Sequence, residues 1–407
     1  MGQNNSYRGN LNTLHNLYKR RVLPLSILCI VMACSNKLGN NKTIVIKNQL
    51  KNDRSFETVA LNKELLSITQ PLEYFYILDA ETNEIQVSQL IDEDGDGVYE
   101  SLLFQPKISG FSEKEYEVVF DSNGNSNKWD MRCYSRFVPE RTDDYAWENN
   151  KVAFRTFGPS AQKMVEQGIP GGTLTSGIDA WLKKVEYPII DKWYEETLSG
   201  KGSYHKDTGE GLDNFHVGAS RGVGGVAIKE NGSYHFSKNF VSWKTISNGP
   251  IRTSFELTYD DWYAEDKVIR ETQRISLDYG SNLAKYEILI HGTDRISAGL
   301  TLHENDGFVT ANAVKGYLSY WQPHEDSELG MAIVIPKVYY EGYEIYETKE
   351  TDLSNVYGHL KVIDNRVVYY AGFGWKESGQ FKIRNDWENY LSAFVEKIST
   401  PLVVEVK

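Results

Sequence analysis

The fold is decided by residues 251–303, IRTSFELTYDDWYAEDKVIRETQRISLDYGSNLAKYEILIHGTDRISAGLTLH. Alternating apolar and polar runs at 251–259, 267–277 and 284–292 are divided by short turns that contain Asp, Asn or Gly. Such alternation places successive side chains on opposite faces of a strand, so that one face can be buried. The stretch therefore predicts consecutive antiparallel β-strands.

The same pattern continues on both sides of this stretch. From residue 225 to the end, further strand-like runs are GGVAIKE, FVSWKTI, GMAIVIP and RVVYYAGFGW, with few helices between them. A long succession of antiparallel strands implies a large sandwich. Residues 43–138 carry shorter runs (TIVIKNQL, EYFYILDA, YESLLFQP, KEYEVVF and MRCYSRFV), which predict a small N-terminal β-sandwich.

The least β-like part of the chain is 139–200. We assign it to the second domain, 139–407, as an irregular or helical crossing segment. SAQKMVEQG and DAWLKKVEYPIIDKWYEETLSG carry the helical pattern, and Pro188 divides the second of these into two short pieces. The predicted class is therefore mainly β.

The composition suits a large β-rich core. The chain has 407 residues, of which 40% are hydrophobic and 13% aromatic. Aromatic residues favour strands and also line carbohydrate clefts, where flat rings stack on sugars. Ordinary sheet packing must account for most of them.

The N-terminus is typical of an export signal. Lys19, Arg20 and Arg21 precede a short apolar run at 22–32, which is too short to span a bilayer. The run ends in Val-Met-Ala-Cys, a sequence that is similar to a bacterial lipobox, with Cys34 as the acylated residue. We predict a lipoprotein signal peptide at 1–33, a tether at 34–42, and a membrane-anchored protein that faces the periplasm or the cell surface. A plain signal peptide is the alternative, because Met before the Ala is unusual.

The charge excludes several classes of partner. The formal net charge is −12, and the leader holds four basic and no acidic residues, so its removal makes the protein more acidic. Such a chain is poorly suited to bind nucleic acid or anionic lipid. An anionic substrate must be met by local cations. Without the leader and Cys34 only Cys133 remains, so no disulfide is expected.

The candidate site is the glycine-rich run at 202–225, GSYHKDTGEGLDNFHVGASRGVGG. Seven glycines indicate a loop held by its surroundings. The loop also carries proton-transfer groups and a cation, namely Tyr204, His205, His216 and Arg221, as a site for an anionic substrate requires. A solvated surface loop is the alternative. The spacing lacks the Lys-Ser/Thr of a phosphate-binding loop.

Other candidates lie outside this loop. His303 follows a strand-like run and precedes Glu304, which suits a base at the rim of a sheet. No HExxH motif or CxxC pair occurs, and no GxSxG elbow between a strand and a helix is evident, so the zinc-protease and α/β-hydrolase classes are not indicated. Lys183, just ahead of the loop, fits an amphipathic surface segment as well as a ligand site.

An acidic turn lies inside the small predicted sandwich. Asp92, Asp94 and Asp96 occupy alternate positions, as in the front half of a calcium loop. The twelfth-position Glu and the flanking helices of an EF-hand are missing. Calcium is possible here, but a metal-free hairpin turn is the favoured interpretation.

The runs at 204–228, 248–262 and 274–292 resemble a family of Bacteroidetes proteins from polysaccharide-utilisation loci, formerly of unknown function. One member of that family is an ulvan oligosaccharide dehydratase. The resemblance implies a small β-sandwich followed by a galactose-mutarotase-like antiparallel supersandwich. It also implies removal of water from a non-reducing-end glucuronic or iduronic acid, with no cofactor required.

The implied chemistry assigns roles to the candidate residues. The uronate carboxylate must be neutralised before the C5 proton becomes acidic, and a base and an acid complete the elimination. His205 and Tyr204 are proposed as the acid/base pair, with His216 and His303 as alternates. The predicted substrate-binding residues are Arg221, Lys183, Arg252 and Trp243.

Three other functions stay open. A polysaccharide lyase or glycoside hydrolase on uronic-acid glycans would share the cleft, and a sugar epimerase would suit the supersandwich. A non-catalytic glycan-binding surface lipoprotein would need the aromatic residues alone. The expected partners of a dehydratase are acidic oligosaccharides, with unsaturated-uronyl glycoside hydrolases and sulfatases acting beside it.

Overall fold

A computed structural model describes residues 41–124 and 128–407 of the chain. The predicted signal peptide at 1–33, the lipidation site Cys34 and most of the predicted tether lie outside the described residues. Among the described residues, no helix is long and apolar enough to cross a membrane.

The stretch at 251–303 forms consecutive antiparallel strands, and most of them belong to a nine-stranded sheet. Its strands are β14 (Ser242–Ser247), β15 (Arg252–Thr258), β16 (Trp262–Ala264), β17 (Lys267–Asp278), β18 (Leu283–His291), β20 (Phe308–Asn312), β21 (Tyr317–His324), β22 (Ser327–Val334) and β25 (Arg366–Trp375). The spatial order is β14-β15-β17-β18-β25-β22-β21-β20, and β16 pairs with β17. In β17 every second residue is buried from Ile269 to Leu277, as the alternation predicted.

A five-stranded antiparallel sheet shares its core with the nine-stranded sheet. Its strands are β12 (Val223–Glu230), β13 (Ser233–His235), β19 (Arg295–Thr301), β23 (Tyr340–Tyr346) and β24 (Asn355–Lys361), in the order β13-β12-β19-β24-β23. Val226 and Ala298 from this sheet lie in one hydrophobic cluster with Ile275 and Tyr286 from the other. Burial of each large apolar side chain contributes about 1.5–3 kcal/mol.

The segment at 139–200 is more regular than predicted. A second five-stranded sheet, ordered β11-β10-β9-β8-β7, contains β7 (Tyr134–Val138), β8 (Asp144–Glu148), β9 (Ala153–Thr156), β10 (Asp179–Lys183) and β11 (Gly211–Leu212). Two of the expected helical parts are confirmed as α2 (Pro159–Glu166) and α3 (Ile190–Leu198), but the first part of the second run is strand β10 and not helix. The prediction of an irregular segment was wrong for β8 to β10, because these strands are buried along their whole length and show no alternation.

The small β-sandwich is present, but its bounds differ from 43–138. One sheet has the order β26-β1-β6-β3 and the other β2-β5-β4; the strands are β1 (Lys42–Lys47), β2 (Val59–Leu61), β3 (Phe75–Asp79), β4 (Ser88–Ile91), β5 (Ser101–Phe104), β6 (Glu113–Phe120) and β26 (Val403–Val406). Strand β7 pairs with β8 instead of joining this sandwich. The C-terminal strand β26 pairs with β1 and supplies the missing edge.

Helical elements cover the remaining surfaces. Helix α4 (Arg384–Ser399) packs Trp387 and Leu391 against Trp321 and Val334 of the nine-stranded sheet. The short helical elements are α1 (Lys63–Leu66) and the 3₁₀ turns Leu72–Tyr74, Pro139–Arg141, Thr351–Leu353 and Lys376–Ser378. The mainly β class, with a small sandwich and a larger antiparallel assembly, is confirmed.

Candidate functional site

A pocket of about 270 Å³ lies where the ends of β19 and β21 meet the glycine-rich loop. Three histidines from separate parts of the chain line it: His216 from the loop, His303 just after β19, and His324 at the end of β21. The loop therefore forms one wall of the pocket, and the structure brings two of the predicted residues, His216 and His303, together with a third imidazole.

One hydrogen bond orients the imidazole of His324, and its other ring nitrogen has no partner among the described residues. Its Nε2 lies 3.0 Å from Oδ1 of Asn214, which accepts, so Nε2 carries the proton and Nδ1 is the acceptor. Among the described residues no hydrogen-bond partner reaches Nδ1. Burial, with His303 nearby, lowers the pKa of His324 to about 4. The side chain is therefore neutral at pH 7, with a lone pair available as a base.

His303 is engaged at both ring nitrogens. Its Nε2 donates to the backbone oxygen of His216 at 2.7 Å, and Nδ1 accepts from Nε2 of Gln322 at 2.8 Å. Burial lowers the pKa of His303, and these two hydrogen bonds offset part of that effect. Because neither nitrogen is free, the structure favours His303 as a positioning residue that ties the loop to β21.

His216 is oriented by a carboxylate. Its Nε2 donates to Oδ1 of Asp352 at 3.1 Å, and the backbone N–H of Ala219 donates to Oδ2 at 3.1 Å. A Cβ on Gly218 would lie 1.7 Å from Oδ2 of Asp352, so only glycine permits this approach. The carboxylate holds Nε2, so Nδ1 is the ring nitrogen of His216 that is left for proton transfer. The side chain is 69% exposed.

The backbone around the pocket is strained. His303, Asn305 and Glu325 have φ values of 46°, 54° and 51°, in the left-handed region that L-residues rarely adopt. Each such residue costs of the order of 1–3 kcal/mol and persists only where the surroundings enforce it. Two of the three, His303 and Glu325, line the pocket.

The lining is acidic. Besides Asp352 it contains Glu304, Asp306 and Glu325, and no Lys or Arg is among the described lining residues. The described lining therefore offers no Lys or Arg side chain to a negatively charged ligand.

The predicted acid/base pair Tyr204 and His205 does not line this pocket. Tyr204 is buried, with its hydroxyl accepting a hydrogen bond from Nε of Arg141 at 3.2 Å and its ring near Trp181. The ring of His205 is largely exposed and donates from Nδ1 to the backbone oxygen of Asp213 at 2.6 Å. The assignment of these two residues as the pair is not supported by their positions, because a buried phenol cannot reach a substrate.

Tyr204 adjoins a buried charge cluster. Arg155 contacts the carboxylates of Asp179 and Asp213 at 2.5 and 3.0 Å, and Asp144 lies 3.6 Å away. Burial raises the pKa of Asp179, and the charge of Asp213 adds to the effect while Arg155 opposes it. Asp213 belongs to this cluster and directly precedes Asn214, so the cluster holds the chain next to a residue that lines the pocket.

Arg221 lies in the protein core instead of the cleft. It is 0% exposed, and its guanidinium donates to Ser176 Oγ at 2.9 Å, Thr175 Oγ1 at 3.2 Å and the Ala219 oxygen at 3.2 Å, with the ring of Phe236 at 3.8 Å. Burial lowers its pKa to about 10. The prediction that Arg221 clamps a substrate carboxylate conflicts with this burial.

The remaining predicted substrate-binding residues are dispersed. The ammonium of Lys183 is buried and donates to Glu148 Oε2 at 2.6 Å, which is a structural role. Trp243 is 42% exposed on β14 and stacks on Phe137 with 3.5 Å between ring centroids. Arg252 lines a second, larger cavity and is paired with Asp278. None of them lines the imidazole pocket, the cavity formed around His216, His303 and His324.

The acidic hairpin is folded as a tight turn. Asp92, Asp94, Asp96 and Glu100 offer oxygen atoms within 4.8 Å of one another, as a cation would need. Their carboxylates already accept backbone N–H bonds, for example from Gly95 and Gly97 to Asp92. These bonds account for the clustering, and calcium binding stays a prediction.

Sequence reasoning missed His324 and Asp352. His324 lies in the run Gln322-Pro-His-Glu-Asp, where nothing marks a site, and Asp352 lies more than 130 residues from its partner His216. The only available signal was that several histidines fall at strand ends, which led to His303 alone.

These features define a mainly β protein with two packed sandwiches and an imidazole-lined pocket at the strand ends. The chain belongs to the family described as "Domain of unknown function (DUF4861)", whose model matches residues 46–404.

A curated relative from Formosa agariphila, named "Uncharacterized protein P7", is 53% identical over 378 residues, which cover 92% of this chain and 96% of the relative. Among solved structures, a glycosyl hydrolase family 38 protein from Enterococcus faecalis matches with a TM-score of 0.51 at 11% identity, over 91% of this chain and 48% of that one. An α-mannosidase from the same species has a TM-score of 0.45 at 10% identity, over 91% and 46%. The chain spans about half the length of these structures, and the likeness to the first concerns the fold alone.

Proposed function

We propose that the protein is a carbohydrate-active dehydratase. It removes water from a glucuronic or iduronic acid at the non-reducing end of ulvan-type oligosaccharides and leaves a 4,5-unsaturated uronic acid. The observation that carries the acid–base part is the free Nδ1 of neutral His324 in one pocket with the His216–Asp352 pair. The motif resemblance at 204–292 supplies the substrate class.

In the proposed reaction His324 Nδ1 takes the C5 proton. The C5–H electron pair forms the C4=C5 double bond, and the C4–O bond breaks. His216, oriented by Asp352, gives a proton from its Nδ1 to the departing hydroxyl, which leaves as water. Positioned proton transfer of this kind typically contributes about 10²–10⁴-fold to the rate.

A second candidate function is glycoside hydrolysis. The acidic lining residues Glu304, Asp306 and Glu325, with no Lys or Arg among the described lining residues, favour it. Paired carboxylates act as acid and base, or as acid and nucleophile, in most glycosidases. A uronate, by contrast, needs its carboxylate neutralised before C5 is deprotonated, and the described lining residues include no Lys or Arg for that role.

The products decide between these functions. Oligosaccharides that end in glucuronic acid are incubated with the protein and followed by mass spectrometry and by ultraviolet absorbance. A dehydratase gives the intact chain minus one water, with new absorbance from the conjugated double bond. Saturated fragments indicate a hydrolase, and fragments with an unsaturated end indicate a lyase. Binding without any product indicates a glycan-binding protein.

The cellular setting is part of the proposal. A lipid on Cys34 would hold the protein at an outer or inner membrane, where it would meet acidic oligosaccharides. An unsaturated-uronyl glycoside hydrolase would remove the product residue, and sulfatases would act on the same chains.

A further inference from the structure

A second and larger cavity, of about 460 Å³, lies where the small sandwich meets the nine-stranded sheet and α4. Its walls come from 55–58 before β2, from β15, β17 and β18, and from the last turns of α4. None of its lining residues lines the imidazole pocket. Its size is within the range of about 300–1,000 Å³ that is typical of small-molecule sites.

The polar lining of this cavity is rich in cations. Arg252, Lys285 and Lys397 line it, against two carboxylates, Asp278 and Glu57. The cations therefore exceed the carboxylates by one in this lining, in a chain whose net charge is −12. This excess provides what the acidic imidazole pocket lacks, namely positive charge for an anionic ligand.

The three cations differ in whether a carboxylate already pairs with them. Arg252 is held by a bidentate pair with Asp278, at 2.6 and 2.8 Å. Lys285 is 3.1 Å from Glu287. Among the described residues, no hydrogen bond or ion pair reaches the ammonium of Lys397, although that side chain is partly buried. Burial lowers the pKa of Lys397; the charge of Glu57 opposes this effect, and the charge of Arg54 adds to it. An anion that enters the cavity would supply the missing partner.

The rest of the lining suits a sugar. Tyr370, Phe394 and Phe56 offer ring surface, on which the C–H face of a pyranose can pack. Ser276 offers a hydroxyl, and the Arg252–Asp278 pair offers further donors and acceptors for ring hydroxyls. Ring surface, hydroxyls and one unpaired cation together match a carboxylated sugar better than a simple inorganic anion.

We propose that this cavity binds an acidic sugar unit, with Lys397 receiving its carboxylate. The site is separate from the imidazole pocket and does not depend on the reaction proposed there. On a longer acidic chain it would hold a residue other than the one that reacts, or a separate chain.

The test is a calorimetric titration of the protein with a β-1,4-glucuronic acid trisaccharide and with cellotriose, its neutral counterpart. The parent should bind the acidic trisaccharide at least about tenfold more tightly than cellotriose, because a charge-assisted contact is lost with the neutral sugar. Equal affinities for the two sugars would overturn the proposal.

Variants then locate the binding. Lys397→Gln should weaken binding of the acidic trisaccharide about tenfold or more, while Lys397→Arg keeps most of it. Lys382→Gln, an exposed lysine outside both cavities, is the control for net charge and should bind like the parent. Ala393→Phe fills the cavity without changing charge and should also weaken binding. Parent-like affinity in both Lys397→Gln and Ala393→Phe, with unchanged melting temperatures, would overturn the assignment.

Turnover of the same trisaccharide is followed in parallel, so the two proposals fail separately. If the trisaccharide binds tightly through Lys397 but no product forms, only the proposed dehydratase activity is contradicted. If product forms but Lys397→Gln and Ala393→Phe bind the trisaccharide like the parent, only the proposal of the second binding site is contradicted.

Discussion

At the scale of single residues, the free nitrogen of His324 carries the mechanism. A neutral imidazole can accept a proton, whereas a protonated one cannot. The rate must therefore fall as the pH drops through the pKa of His324 in the folded protein. Burial lowers that pKa from 6.5 to about 4. The base is therefore active over a wider acidic range than an exposed histidine.

The pH profile of kcat/KM tests this assignment. We expect activity to persist below pH 6.5, with the acid limb falling near the lowered pKa of His324. Circular dichroism at each pH shows that the protein remains folded. An acid limb at or above pH 6.5 would assign the base to a group other than His324.

Arg221 leads to a prediction about stability. Its guanidinium satisfies acceptors on Thr175, Ser176 and Ala219 inside the core. Arg221→Met should remove these hydrogen bonds from the core and lower the free energy of unfolding by about 2–4 kcal/mol. Urea denaturation measures the loss. Arg270→Met, at a largely exposed position, is the control and should change it by less than about 0.5 kcal/mol. A stable Arg221→Met protein that has lost only activity would restore the substrate-clamp role.

At the scale of elements, the glycine-rich loop is shaped by the contact between His216 and Asp352. Gly218 has φ of 51°, and a Cβ there would clash with Oδ2 of Asp352 at 1.7 Å and approach Nε2 of His216 at 2.7 Å. Glycine at 218 therefore lets the loop approach Asp352 at this wall of the pocket.

Gly218→Ala should displace Asp352 and lower turnover about tenfold or more, since the acid loses its orienting carboxylate. Gly209→Ala is the matched control, because Gly209 lies in the same loop, also has positive φ, and has open space around it. Both variants carry backbone strain, so the difference in kcat between them measures the clash at Asp352. Equal kcat values would mean that the His216–Asp352 contact does not contribute to turnover.

The elements also show which parts of the structure the sequence could predict. β17 was predictable because one of its faces is buried and its pattern alternates. β8 and β10 were not, because all of their residues are buried and the period of two disappears. β26 pairs with β1 across nearly the whole chain, and no local pattern reveals such a partner.

The candidate site was predictable only in part, for the same reason. The loop with His216 was found because glycines, histidines and charges are close in sequence. Gln322, His324 and Asp352 reach the pocket through sheet topology, which brings separate strand ends together. Arg221 and Lys183 were assigned to the ligand because a sequence does not show which cations are buried.

At the scale of the whole molecule, charge separates two regions. The imidazole pocket is lined by four carboxylates with no Lys or Arg among the described lining residues, whereas the cavity beside α4 has three cations and two carboxylates. The acidic sugar proposed for this cavity would find there the positive charge that the imidazole pocket lacks.

Export is tested on the whole chain. The order of the basic residues at 19–21, the apolar run and Cys34 predicts a lipid anchor. Cys34→Ser should move the protein from the membrane fraction to the soluble fraction, because a thiol is needed for acylation. A Lys37→Ser form keeps the lipobox and should still partition with membranes. Unchanged membrane partition of Cys34→Ser would reject the lipoprotein prediction.

The central claim is that water elimination occurs at the imidazole pocket. The most direct measurement is the rate at which a uronic-acid-terminated oligosaccharide loses one water, in the parent and in three histidine variants. His324→Gln should slow the reaction about 10²–10⁴-fold with little change in melting temperature. His291→Gln, at an exposed strand end, should match the parent, and His205→Gln should stay close to it. Normal dehydration by His324→Gln, with loss of activity in His205→Gln, would contradict the account.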